Sequence, residues 1–261
     1  MEIWKSIIVG VVQGFAEFLP ISSSGHIVLT QFLLGIKEDN ILFEIILHVG
    51  TLLSVFVYFW RKLWNMTRSL WTPALREERA WILYLGLATV PAVLLVLTPL
   101  GDLFKGAYEN PVLVSGLLLV TGALLFAPKF IQSKAKEISW KTALFMGIGQ
   151  AFAILPGISR SGSTITAGLL SGVTPKKAAD FAFLMSIPAI LGAVVKERDA
   201  FSQLAADQAT QYLIGALAAF VSGLAAIFLV MDAVKRGKLE YFAYYCFAAG
   251  ITGMIYFHFF Y

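Results

Sequence analysis

The sequence predicts an all-α polytopic membrane protein: six transmembrane helices plus two re-entrant helix hairpins, arranged as inverted-topology repeats in one membrane domain. Three observations predict it. First, 58% of the 261 residues are hydrophobic and only 14% charged, with a mean hydropathy of +0.78; soluble domains run near about 45–50% apolar and about 25% charged. Second, Ala80–Gly101, Asn110–Pro128, Phe181–Val195, Gln208–Met231 and Tyr241–Tyr261 contain no Asp, Glu, Lys or Arg. Most of these runs approach the roughly 20 residues that cross a hydrocarbon core about 30 Å thick. Third, the stretch "FAEFLPISSSGHIVL" (15–29) returns as "FAILPGISRSGSTIT" (152–166), so a polar cluster interrupts an apolar segment twice.

Taken in chain order, the first segment, 3–34, is too long for one simple span and too interrupted for two. Pro20 ends its first helix, because the residue before a proline avoids the α region, and the helix restarts around His26. Irregular backbone at membrane depth is tolerated only where protein buries it or a wet cavity adjoins it, so this segment reads as a re-entrant hairpin. Spans over 41–60, 81–99 and 111–128 complete repeat one, residues 1–128. Repeat two, residues 140–261, has a hairpin over 140–172 and spans over 178–195, 211–231 and 241–259. Gln13–Gly25 aligns with Gln150–Gly162 at an offset of 137, with seven of thirteen positions identical. "FEIILHVGTLL" (43–53) then lies against "FAFLMSIPAIL" (181–191) after a one-residue slip. Three spans per repeat insert the second copy upside down and predict a site between the copies near the bilayer midplane.

Charge gives the orientation. Fourteen Lys and Arg fall in loops 61–80, 129–141, 172–177 and 232–240, against five on the other side (Lys5, Lys37, Lys105, Lys196 and Arg198), with Arg160 at a hairpin tip. The positive-inside tendency puts both termini outside and brings the hairpins in from opposite faces, tip to tip. Trp60, Trp64, Trp71, Trp81 and Trp140 border the basic side as an interfacial belt would. The formal charge of +4 lies in loops, with no basic stripe for nucleic acid. The single cysteine, Cys246, excludes a disulfide framework. The segment after Met1 is not expected to be a cleavable signal peptide.

Ionisable residues at membrane depth point to function. Here they are Glu17, His26, Glu44, His48, Arg160 and Asp180. Gln13 and Glu17, four apart, share one helix face. Ser22, Ser23, Ser24 and Gly25 form a serine-rich turn that can cap a helix and bind anions with its free N–H groups. Ser159, Ser161, Gly162 and Ser163 repeat that turn in the second copy, with Arg160 at the position of Ser23. An unpaired Arg there costs at least about 2.5 kcal/mol, so it has either a structural partner in Glu17 or a ligand. Arg offers phosphate a planar fork of donors. Glu17 with Gln13 offers hard oxygen ligands for Mg²⁺ or Ca²⁺, and His26 is a candidate base for a nucleophilic serine. The parts describe metal-assisted phosphoryl transfer or hydrolysis on a membrane-borne phosphate. Glu44 and His48 repeat the i, i+4 spacing and form either a second polar face on the cavity or an interfacial pair. Asp180 reads as a helix-dipole partner or a loop charge.

"QGFAEFLPISSSGHI" and "PGISRSGSTI" closely resemble the two signature motifs of the undecaprenyl-diphosphate phosphatases, the bacitracin-resistance family of integral membrane enzymes. The resemblance spans essentially the whole chain. It implies hydrolysis of undecaprenyl diphosphate to the monophosphate carrier lipid used in cell-wall assembly, in the bacterial cytoplasmic membrane, with the site opening on the outer face. It also implies that Gln13 and Glu17 hold the divalent cation, that Ser23 and His26 serve the first tip, and that Arg160 is the essential arginine of the second. Gln13 stands where many relatives carry Glu, so Glu44, water or a diphosphate oxygen would complete the metal shell. Three nucleophiles stay open: Ser23 with His26 or Glu17 as base, His26 itself, or a metal-activated water. The unrelated type-2 phosphatidic-acid phosphatases do not fit, because no histidine follows Arg160 in "SGSTITAGLLSGVTPKKAAD". The expected partners are a polyprenyl diphosphate and the bilayer, and a homodimer is compatible with this reading. The competing function is a transporter or flippase of polyprenyl phosphate, since paired broken helices also serve alternating access.

Overall fold

The computed structural model describes residues 2–36, 41–98, 105–130, 135–203 and 206–260; the loop lysines Lys37 and Lys134 and the end of the predicted 81–99 span lie outside them. Among the described residues the regular elements are helical, apart from one bridge between Lys136 and Val173. The first interrupted segment folds as α1 (Ile3–Phe18) and α2 (Ser23–Leu33), and α3 (Ile41–Tyr58), α4 (Trp60–Ser69), α5 (Arg76–Val96) and α6 (Pro111–Phe126) follow. The second segment folds as α7 (Trp140–Phe152) and α8 (Arg160–Leu170). The chain ends with α9 (Pro175–Leu184), α10 (Ser186–Lys196), α11 (Ala206–Lys235) and α12 (Glu240–Phe259).

Among the described residues five stretches are long and apolar enough to cross a membrane: Ile41–Tyr58, Arg76–Val96, Pro111–Phe130, Pro175–Lys196 and Gln208–Lys235. This is a multi-pass membrane protein. The predicted sixth span, 241–259, lies within the 20-residue helix Glu240–Phe259, but Tyr241, Tyr244, Tyr245 and Tyr256 lower its hydropathy. The predicted 178–195 span is two helices, because the chain turns at Met185 and Pro188 has no N–H to offer the carbonyl of Leu184. The loop expected after α3 holds the amphipathic α4, which exposes Trp60 and Trp64.

The two halves interlock. α1 packs along α11 and α7 along α5, so each hairpin lies on a helix of the opposite half, while α6 packs against α12. Glycines make these crossings close. A Cβ at Gly10 would stand 2.3 Å from the carbonyl oxygen of Gly215, and one at Gly147 the same 2.3 Å from that of Ala88. Gly10 and Gly147 are themselves 137 positions apart, the offset of the repeated motif. Small residues at such crossings let backbones meet where apolar burial alone gives no preference.

A buried aromatic group adjoins the hairpins: Phe18 meets Phe183 edge to face at 5.6 Å between ring centroids, and both are fully buried. Asp180, also buried, accepts from Lys176 at 3.0 Å and from Lys62 of α4 at 3.4 Å. Lys62 in turn stands 3.3 Å from the centroid of the Trp81 ring. Burial pushes the Lys62 ammonium down to about 8 against the opposing pull of Asp180. Asp180 is therefore a cross-link between helices rather than a dipole partner or loop charge.

Candidate active site

Two breaks in the helices build the site. Between α1 and α2 the chain turns through Leu19–Ser22, where Ser22 adopts φ +73°, a region rare for a residue with a Cβ. Its hydroxyl accepts from Gly25 N at 3.2 Å, capping α2, and from Gly157 N at 3.1 Å in the other break. The second break, 153–159, turns through Gly157 at φ +100°. Ser159 repeats the cap by accepting from Gly162 N at 3.0 Å. Thr121 of α6 braces this loop, donating to Gly157 O at 2.7 Å and accepting from Ser159 N at 2.9 Å. Ser161 Oγ donates across the junction to Leu19 O at 3.2 Å. The tips meet, and serines hold them together.

Glu17 lies at the junction, its side chain 5% exposed. One carboxylate oxygen pairs with the Arg160 guanidinium. The other accepts from Ser23 Oγ at 2.8 Å and from Gln13 Nε2 at 3.1 Å, and His48 Nε2 stands 3.6 Å away. Arg160 also donates from Nη1 to Ala182 O at 3.2 Å, which fixes its plane. His48 Nδ1 donates to the carbonyl of Glu44 at 2.7 Å; a carbonyl can only accept, so Nε2 is the nitrogen turned to Glu17. A cavity of about 340 Å³ adjoins this centre, and Glu17, Ser23, Ser24, Arg160, Glu44 and His48 all line it. The paired Glu44 and His48 therefore face the cavity.

Other expected residues lie elsewhere. His26 does not line the cavity: its Nδ1 donates to Ser22 O at 2.8 Å and its Nε2 accepts from the Tyr245 hydroxyl at 2.8 Å. The group within hydrogen-bond reach of Ser23 is Glu17, not His26. Gln13 is fully buried and off the cavity; it holds Glu17 through Nε2, while its Oε1 has no partner among the described residues. Of the serines and glycines expected to bind phosphate only Ser23 and Ser24 line the cavity, with Arg160 beside them. Ser22, Ser159 and Ser161, with Gly25 and Gly162 beside them, make the tip junction instead, and Ser163 Oγ is buried without a partner among the described residues. Tyr108, unforeseen in the sequence, lines the cavity and hydrogen-bonds Ser24. It comes from the connection between α5 and α6, a placement that no local pattern encodes.

Among the described residues no three His, Cys, Asp or Glu side chains cluster as a ready metal cage. Two carboxylates, Glu17 and Glu44, do line one cavity with Ser23 and Ser24. That donor set suits a hard cation that keeps most of its shell from phosphate and water.

Fold and site together define a multi-pass membrane protein with a buried carboxylate–guanidinium–serine centre at the meeting of two broken helices. The family model of the bacitracin resistance protein BacA matches residues 6–252, and the chain belongs to that family. It is 40% identical to an undecaprenyl-diphosphatase of Halothermothrix orenii over 98% of each chain. It is 36% identical to one of Salinibacter ruber over 97% of this chain and 99% of that one, and 40% identical to one of Alkaliphilus metalliredigens over 96% and 97%.

Proposed function

We propose that this chain hydrolyses undecaprenyl diphosphate to undecaprenyl phosphate and inorganic phosphate, recycling the carrier lipid of cell-wall synthesis and conferring bacitracin resistance. The observation that carries the chemistry is the contact of Ser23 Oγ with Glu17 at 2.8 Å, beside Arg160 and open to the cavity. Ser23 is the nucleophile and Glu17 its base. As Oγ bonds to the terminal phosphorus, its proton passes to Glu17, and the bond from that phosphorus to the bridging oxygen breaks to release undecaprenyl phosphate. Water then attacks the phosphoserine phosphorus, the bond from that phosphorus to Ser23 Oγ breaks, Oγ takes back the proton held on Glu17, and the phosphate leaves carrying both protons of the water. Arg160 offers its remaining N–H groups to the equatorial oxygens, where charge is spread in the transition state. Gln13 and His48 keep the Glu17 carboxylate turned to Ser23. A Mg²⁺ or Ca²⁺ ion accompanying the diphosphate would be held by Glu17 and Glu44 and would supply charge neutralisation on the phosphate oxygens.

The arrangement in the membrane belongs to the same reading. Each broken pair is a re-entrant hairpin, α12 is the sixth span, and the halves are inverted repeats. The packing of each hairpin on the opposite half and the 137-residue offset of Gly10 and Gly147 support this. The termini and the cavity mouth face outward across the bacterial cytoplasmic membrane, on the strength of the loop charges.

The test is phosphate release from undecaprenyl diphosphate by purified protein, with Mg²⁺, Ca²⁺ or EDTA, for wild type, Glu17→Gln, Arg160→Ala and Ser23→Ala. Loss in all three variants, with a phosphate trapped on Ser23 in acid-quenched wild type, is the expected result. A phosphate found on His26, or full activity in Ser23→Ala, would overturn the assignment. Lipid movement across liposomes without phosphate release would favour a transporter.

A further inference from the structure

The cavity beside Glu17 is two-sided. Its polar groups come from the two breaks, from the start of α3 and from Tyr108. The rest of its wall is apolar: Ile41 and Ile45 from α3, Ala153, Ile154 and Ile158 from the second break, and Ala189, Ile190 and Ala193 from α10. Helical periodicity places Ala189 and Ala193 on one face of α10, Leu191 and Val195 on the opposite one, and Gly192 between them. Leu191 and Val195 are 46% and 64% exposed, and a Cβ built on Gly192 would meet nothing within 4 Å. Opposite, Phe152, next to cavity-lining Ala153, is 65% exposed. Between Ala189 and Ala193 on the cavity wall and Leu191 and Val195 outside, Gly192 leaves one flank of α10 without a side chain at that level, while Ile190 fills the other flank.

A lipid diphosphate held at Ser23 and Arg160 must lead an apolar chain out of this cavity. Ile41 and Ile45 of α3 also line the cavity, but a carboxylate, an imidazole and a phenol stand among them, Glu44, His48 and Tyr108, poor company for hydrocarbon. We propose that the polyisoprenyl chain leaves sideways, across Ala193 and Gly192, between α10 and the second break, and continues in the bilayer. The assignment rests on the phosphatase reading for the head group and adds the path of the tail.

Gly192→Trp tests it, with Gly86→Trp as the matched control, since Gly86 of α5 also has open space where a Cβ would stand and does not line the cavity. Gly192→Trp should raise KM for undecaprenyl diphosphate about tenfold, the loss of a few buried methylene contacts, with kcat within about twofold. Gly86→Trp should change neither. Independently, p-benzoylphenylalanine introduced as Gly192→Bpa in a Ser23→Ala background should photocross-link to undecaprenyl diphosphate, read as an intact-mass adduct, and Gly86→Bpa should not. Equal effects of the two tryptophans, or an adduct at 86 and none at 192, would overturn the exit path. If wild type releases no phosphate, the phosphatase reading fails, while the adduct still reports where the lipid chain lies.

Discussion

At the scale of single residues, the turn between Leu19 and Ser22 makes the contact on which the proposed chemistry rests. Glu17 and Ser23 are six apart, a spacing that no continuous helix brings together, yet the break folds Ser23 Oγ back onto the carboxylate. His26, three residues beyond Ser23, was the nearer base in the sequence. The bond of its Nδ1 to Ser22 O, four residues back, turns its ring toward Tyr245 instead. The identity of the polar residues was legible; the rotation of one helix start was not. The expected outcome is a sharp asymmetry. Ser23→Ala should lower kcat by about a thousandfold or more, the scale of losing an essential group. His26→Ala should cost about 1 kcal/mol of stability for its lost hydrogen bonds and reduce kcat less than about tenfold. Steady-state rates with thermal melting of each variant check both halves. Ser22→Ala belongs beside them: it strands the buried Gly25 and Gly157 amides, an expected cost of about 1–3 kcal/mol, visible as a lower Tm.

At the scale of elements, the sequence announced where helices break, because Pro20 and the serine turns act locally. It gave less warning of α4, where tryptophans and arginines alternate through a stretch that reads equally as a polar loop. The turn at Met185 was also hidden, since a proline inside an apolar run is as often a kink as a stop. Close crossings are the other elemental feature. Gly147→Leu must push side-chain atoms into the backbone of Ala88, which a Cβ alone would approach to 2.3 Å. Overpacking of this kind costs about 1–3 kcal/mol, so the variant should melt lower in detergent and lose activity in proportion to the unfolded fraction. The Lys62–Asp180 link between α4 and α9 predicts a pH effect. Folded Lys62 releases its proton near 8, whereas the ordinary lysine value is 10.5. Between those values the unfolded chain binds more protons, so stability rises with pH through that window. Tm measured from pH 7.5 to 10 should climb more steeply in wild type than in Lys62→Met; identical slopes would mean that Lys62 keeps its proton throughout.

For the whole molecule, the charge asymmetry of the loops makes orientation a measurable quantity. Cys246 is buried, so the native chain offers a quiet background for thiol labelling. In intact cells an impermeant maleimide should modify Glu197→Cys, between α10 and α11, and leave Gly237→Cys, between α11 and α12, untouched until the membrane is opened. The reverse pattern would invert the topology and put the cavity mouth inside. The pairing of Glu17 with Arg160 reaches further than the site. Ser23 and Glu17, the proposed nucleophile and base, come from one half of the chain and the guanidinium from the other. Two separately synthesised pieces, cut between α6 and α7, would each be inert. Brought together in one bilayer they would regain turnover, and the rate recovered would count the fraction that had found its complement.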